Sequence, residues 1–321
     1  MSTRDWSARE PAATAPMKIP ILEQLSLAAV SCCLAMGGAL AQDAAGVEKL
    51  SGTLKKIKES RTIAIGYRDA SVPFSYLNAA RQPVGYSIDL CSNIVDVVRA
   101  ELGDDAIQVK YVPVDTMTRI PAVVDGTVDL DCGTTTNTAE RQKQVAFSPI
   151  TFVSGTKLLV KRSAKFQSYR DFKGRSVAVT PGSTNAAAIR SLSAKQHLDI
   201  SLKTVDGNAQ AFDAVEKGEA DAWAGDDAVL YATAAESGRS GSFKVLDEYL
   251  SYDPYGLMYR KNDPAFDALV RKAFEDMAAS RELARIYEQW FLRKLPSGRT
   301  LGIAMSPQLE SIFEALGQPT E

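Results

Sequence analysis

Two successive series of short apolar strands alternating with amphipathic helices run along this chain, one on each side of about Val153. In the first, residues 62–66, 109–114 and 128–132 read as strands, and 87–102 and 119–125 as helices. Within 87–102, Ile88, Cys91, Ile94, Val95 and Val98 fall at helical spacing. In the second, 177–179, 202–205 and 220–224 read as strands, and 185–196, 211–217 and 228–236 as helices. Such alternation predicts parallel sheets in an α/β fold, and two series predict two sheets. Beyond Phe243 the order changes. Strands are predicted over 242–246 and 255–259, then a long helical region over 264–292 with Phe266, Leu269, Val270, Phe274 and Met277 on one stripe. This tail has no partner in the second series. Its return to the first makes that domain discontinuous, and the two chain crossings form a hinge.

Both halves repeat one local pattern. Asp125-Gly126-Thr127-Val128-Asp129-Leu130-Asp131 resembles Lys217-Gly218-Glu219-Ala220-Asp221-Ala222-Trp223. Each reads as a helix end, a glycine in a left-handed cap and a short strand with an Asp near its start. Two ordinary helix-to-strand turns are the alternative.

A chain of 321 residues with 45% apolar and 24% charged residues has a soluble globular composition. The net charge of -2 and the lack of a basic run interleaved with aromatics exclude nucleic-acid binding. Residues 1–16 are polar and Pro/Ala-rich, which fits an over-extended start. Met17-Lys18 then precedes an apolar stretch over 27–40 and the small-x-small site Ala39-Leu40-Ala41. Residues 1–41 are therefore expected to be a secretory signal peptide with the mature start at Gln42, and the protein to be periplasmic. A membrane anchor is the alternative, although the run falls short of the ~20 residues a span prefers. Cys91 and Cys132 remain after cleavage, in a disulfide-permissive compartment. They form either a bridge or two separate buried thiols. Neither CxxC nor a zinc spacing is present.

The chemistry concentrates between Arg119 and Val145. A loop with Thr134, Thr135, Thr136 and Asn137 leads into an expected helix start carrying Arg141. Hydroxyls, free N–H groups at a helix N-terminus and a guanidinium fork suit a carboxylate. Arg68, just past the first strand, lies where open α/β sheets bind ligands, and Arg119 opens the helix before the hydroxyl-rich loop. Asp226-Asp227 follows the last strand of the second series. One of the two is expected to cap the following helix and the other to accept from a ligand ammonium. Three arginines and one aspartate give +2, which an acidic amino acid satisfies better than a neutral one. The single histidine, His197, reads as a solvated residue at a polar helix end, which argues against a Ser-His-Asp triad or a His-rich metal site, and no phosphate loop is present.

These motifs carry a resemblance. SVPFSY at 71–76, TRIP at 118–121, CGTTTNTAERQKQ at 132–144, DDA at 226–228 and Gly85-Tyr86-Ser87-Ile88-Asp89-Leu90 are similar to those of the periplasmic solute-binding proteins of the polar amino-acid ABC-transporter family (family 3). The glutamate/aspartate-binding branch is the closest match, over about residues 52–295. Ser87 stands where the wider family has an acidic residue. The resemblance implies that Arg141 clamps the ligand α-carboxylate with help from Thr136, and that Thr134 and Asp226 receive the α-ammonium. It implies that Arg68, Arg119 and Thr116 hold the side-chain carboxylate. Asn208 occupies the place of a histidine that assists there in this branch, and it can donate a hydrogen bond but not a charge.

The expectation is a two-lobed, type II periplasmic-binding-protein fold with a two-strand hinge and the ligand in the cleft. One lobe comprises residues 42–153 and 251–321, the other 154–250. The protein is expected to bind glutamate or aspartate as a monomer, without cofactor or metal, and to deliver it to an inner-membrane ABC permease. The competing expectation is a dehydratase of the cyclohexadienyl type on the same fold. Asp226 argues against it, because surrounding arginines are expected to keep it ionised.

Overall fold

The structure, a computed structural model, describes residues 50–317. The signal-peptide reading over 1–41 lies outside the described residues. After helix α1 (Gly52–Ser60) the chain forms β1 (Thr62–Tyr67), the small strands β2 (Ala70–Ser71), β3 (Ser75–Leu77) and β4 (Pro83–Val84), and α2 (Tyr86–Leu102). Then come β5 (Gln108–Pro113), α3 (Arg119–Val124), β6 (Leu130–Asp131), β7 (Val145–Phe147), β8 (Phe152–Ser154) and β9 (Thr156–Lys161). The next run is β10 (Ser176–Val179), α4 (Thr184–Gln196), β11 (Ser201–Thr204), α5 (Asn208–Lys217), β12 (Ala222–Asp226), α6 (Asp227–Glu236) and β13 (Phe243–Val245). The tail holds β14 (Asp253–Tyr255), β15 (Met258–Arg260), α7 (Pro264–Ala279), α8 (Glu282–Tyr287) and α9 (Pro307–Leu316).

Two five-stranded sheets result, ordered β5-β1-β6-β15-β7 and β11-β10-β12-β9-β13. In each, the first three strands run parallel, the fourth runs antiparallel to them, and the fifth pairs antiparallel with the fourth and so runs with the first three. The chain passes between the sheets along β8 and β14, which pair antiparallel. This is the two-strand hinge.

The repeated Gly-x-x-Asp pattern has a shared physical basis. Gly126 and Gly218 both take the left-handed conformation after a helix, with φ of 79° and 76°. The carboxylate of Asp129 accepts from the Ala64 N–H and that of Asp221 from the Ser176 N–H, each at 2.9 Å. Each carboxylate pins its neighbouring parallel strand near its start.

Two predicted elements differ, and one strand has no counterpart in the sequence reading. The strand expected over 255–259 is two strands, β14 in the hinge and β15 in the first sheet, because the chain turns at Gly256. A side chain at Gly256 would stand 3.1 Å from the Phe147 ring. The helical region over 264–292 breaks where Arg281 adopts φ 60°, and it ends in a π-helical turn, Glu288–Leu292. That turn places Phe291 against Phe152 and Tyr287, with ring centroids 5.1 and 4.4 Å apart. The strand β9 escapes the sequence pattern, because its apolar run is only Leu158, Leu159 and Val160 and has no alternation, as befits a strand buried on both faces.

The hinge rests on an aromatic cluster. Phe152 of β8 and Tyr255 of β14 meet Phe74 at 4.8 and 5.3 Å, and Tyr86 joins at 6.0 Å from Phe74. Gly85 makes this packing possible. Its φ is 138°, and a Cβ there would fall 2.3 Å from the Phe74 carbonyl oxygen. The thiols resolve to a bridge: Cys91 of α2 and Cys132 after β6 are disulfide-bonded with Cα atoms 6.3 Å apart.

Candidate functional site

The carboxyl ends of β1 and β12 face one cleft between the sheets, with about 450 Å³ of empty space, part of it open to solvent. Arg68, Thr116, Arg119, Thr134 and Thr136 line it from the first sheet, and Asn208 and Asp226 from the second. Seven of the eight predicted residues thus converge. The eighth, Arg141, stands behind this lining.

Local structure explains each placement. Arg68 follows β1. Its backbone N–H donates to Ser75 Oγ at 2.9 Å, and its Nη2 donates to Thr116 Oγ1 at 3.1 Å. Thr116 and Arg119 are set by a tight turn. The Asp115 carboxylate accepts from the Met117 and Thr118 N–H groups at 2.8 Å each, and α3 begins at once. Arg141 donates from Nη1 to the Thr136 carbonyl at 2.8 Å and from Nη2 to the Gly182 carbonyl at 3.2 Å. It therefore fixes the hydroxyl-rich loop and touches the opposite lobe.

Arg68 and Arg119 are 6% and 4% exposed. Each has a buried Nε without a hydrogen-bond partner, and no carboxylate lies within 4.0 Å of either among the described residues. Burial lowers the proton affinity of both. For Arg119, burial and then the neighbouring Arg68 and Arg141 charges bring the pKa down to about 9, so it stays charged at neutral pH. Two guanidinium groups are thus held close together and dry, without an ion-pair partner of their own.

On the other wall, Asp226 ends β12 and its Oδ1 accepts from Asn185 Nδ2 at 2.8 Å. Desolvation, and then repulsion from Asp253, raises its pKa to about 6. The arginines do not hold it at the ordinary carboxylate value. It remains mostly ionised at pH 7. Asp226 stands at the N-cap of α6 without a side-chain capping bond, and Asp227, the first helical residue, accepts from Ser154 Oγ and the Ala228 N–H at 2.7 Å.

Two features escaped sequence reasoning. Arg141 opens a three-residue 3-10 turn, Arg141–Lys143, and not a helix, so it supplies no appreciable dipole. The helix N-terminus at the cleft belongs to α4, which Ser183 caps by accepting from the Ala186 N–H at 3.0 Å. Thr180, Ser183, Thr184 and Asn185 line the cavity there. The signal was present in Thr180-Pro181-Gly182-Ser183-Thr184-Asn185, a second hydroxyl-rich loop before an Ala-rich segment. The other feature is buried acid. Asp131, 1% exposed, bonds Thr135 through one oxygen and leaves Oδ1 without a partner, and Asp253 is 2% exposed. A formal count of +2 for the site omits both. The local absence of a carboxylate beside Arg68 and Arg119 is the firmer guide. Among the described residues no cluster of three or more His, Cys, Asp or Glu side chains forms a metal site.

Comparison with known proteins identifies the family. Residues 63–293 match the family model of the bacterial extracellular solute-binding proteins, family 3. The chain is 40% identical over 276 residues to the L-glutamate/L-aspartate-binding protein of Pseudomonas aeruginosa, covering 85% of this chain and 90% of that one. It is 34% identical to the glutamate/aspartate import solute-binding protein of Salmonella typhimurium, covering 92% and 97%. Among solved structures, an ancestral arginine-binding protein bound to arginine superposes with a TM-score of 0.65 at 29% identity, over 72% of this chain and 98% of that one.

Proposed function

We propose that this chain, which belongs to the bacterial extracellular solute-binding proteins of family 3, binds L-glutamate or L-aspartate between its lobes. Its fold is the two-lobed type II architecture of that family, and its role is amino-acid capture for transport and not catalysis. The observation that carries the ligand assignment is the pair of buried arginines, Arg68 and Arg119, without a carboxylate within 4.0 Å among the described residues. A buried guanidinium is costly unless an anion meets it, and a planar carboxylate answers the fork best.

In this reading the side-chain carboxylate sits on Arg68 and Arg119 with Thr116 beside it. The α-carboxylate meets Arg141, Thr136 and the first N–H groups of α4, where the helix dipole favours an anion. The α-ammonium meets Asp226 and Thr134. Arg141 reaches the ligand by exchanging a carbonyl contact for the carboxylate. The lobes divide at 42–153 with 251–321, and at 154–250. The protein works as a monomer in the periplasm after loss of residues 1–41 and hands its ligand to an ABC permease. The dehydratase alternative finds no support in the transport relatives.

Isothermal titration calorimetry on the mature chain, stripped of ligand by unfolding and refolding, tests the assignment. Glutamate or aspartate should bind with Kd on the order of 1 μM or tighter, about -8 kcal/mol, and the amides much more weakly. Tight binding of glutamine or asparagine with weak binding of the acids would sink the roles given to Arg68 and Arg119.

A further inference from the structure

Asn208 lines the cleft, yet its amide is already engaged. At the first turn of α5, its Nδ2 donates across the cleft to the Ala70 carbonyl at 3.2 Å and to Ser71 Oγ at 3.1 Å. The Ala70 carbonyl can only accept, and it fixes which end of the amide is the nitrogen. Ala70 and Ser71 belong to β2, two and three residues beyond Arg68. The bond therefore runs from the second lobe to the segment that follows a proposed ligand arginine. Two other direct contacts cross the same cleft, Thr136 Oγ1 to Thr184 Oγ1 at 3.2 Å and Arg141 Nη2 to the Gly182 carbonyl at 3.2 Å. They stand by the α-carboxylate end, and Asn208 stands by the side-chain end.

We propose that Asn208 is a positioning residue which fastens α5 to β2 over any bound amino acid, and that it does not discriminate an acid from its amide. The inference rests on the reading that an amino acid occupies this cleft. Its basis is geometric: the N–H groups that would recognise a ligand carboxylate face protein acceptors on the other lobe. A fastener of this kind acts after the ligand has entered. It slows escape and leaves entry and selectivity alone, because its partners are backbone and hydroxyl and not ligand.

The experiment compares wild type, Asn208→Ala and Asn208→Asp in the mature chain. Association and dissociation rates are read by stopped-flow intrinsic fluorescence and affinities by calorimetry, each for L-glutamate and L-glutamine. In Asn208→Ala, dissociation should quicken roughly tenfold for both ligands, as expected for losing two neutral hydrogen bonds. Association rates and the glutamate-to-glutamine affinity ratio should stay within about twofold. Asn208→Asp cannot donate to the Ala70 carbonyl, so it should speed glutamine dissociation at least as much. Melting temperatures of the ligand-free variants separate loss of the link from a damaged helix start. A tenfold or greater fall in that ratio for Asn208→Ala would overturn the inference and make Asn208 a ligand contact. Unchanged dissociation in a folded variant would also overturn it. If wild type binds neither amino acid, nor aspartate or asparagine, the ligand reading itself fails, which is a separate result.

Discussion

Arg119 concentrates the physics of this site. It is 4% exposed, its Nε has no partner, and the Arg68 and Arg141 charges act against its own, while the buried Asp131 and Asp226 offset them only in part. Such a group weakens the ligand-free fold and strengthens the complex, since burying a charge without a direct ion-pair partner costs several kcal/mol until an anion arrives. Arg119→Met keeps most of the packing and removes the charge. It should raise the ligand-free melting temperature by a few degrees, while glutamate affinity falls on the order of 100-fold and glutamine affinity by tenfold or less. Calorimetry and thermal denaturation on the same samples decide this, and an equal loss for both ligands would remove Arg119 from the side-chain subsite. The arginines were legible in the sequence because each stands at a strand end or beside a hydroxyl-rich loop. Asp131 was not, since an Asp in a short strand looks the same whether it faces solvent or the back of a guanidinium pair.

At the scale of elements, the disulfide matters most. Cys91 lies on α2 and Cys132 opens the loop that carries Thr134 and Thr136, 41 residues later. The bridge fixes the base of a binding loop to the longest helix of its lobe. Replacing both cysteines by alanine should lower the unfolding free energy by roughly 3–4 kcal/mol on the loop-entropy scale, measured by denaturant titration. Ligand affinity should fall less than tenfold, because Arg141 still holds the Thr136 carbonyl. The sequence left the bridge open, as spacing says nothing of whether two Cα atoms approach within ~7 Å. Helix starts were similarly ambiguous. Hydroxyl-rich loops precede both Arg141 and α4, but only the second continues into a helix, Thr184–Gln196, which packs against the second sheet.

For the whole molecule, the cleft makes binding and stability answer oppositely to pH. Asp226 titrates near 6, above the ordinary 3.8, so the folded ligand-free protein binds this proton more tightly than the unfolded chain does. The Asp226 contribution to stability is therefore favourable at low pH and is lost as pH rises through about 6. An ammonium ligand needs the ionised form, so affinity falls as pH drops through the same range. Asp226→Asn should stabilise the ligand-free protein at pH 7.5 by on the order of 1–2 kcal/mol, with the gain shrinking as pH falls through about 6 and gone below the ordinary 3.8. It should also remove the acid limb of amino-acid affinity between pH 7 and 5; an unchanged limb would move the ammonium subsite elsewhere. The sequence by itself determined the α/β alternation, the two sheets, the return of the tail and most of the cleft residues. Hydrophobic period, glycine caps and strand-end arginines are local signals that survive in one dimension. Only the tertiary structure decided the cysteine bridge, the helix that presents its N-terminus, the buried acids behind the arginines and the direction in which Asn208 donates. Each depends on which atoms two distant segments place within hydrogen-bond or Coulomb reach, and that distance is set by sheet packing and hinge angle and not by any stretch of chain.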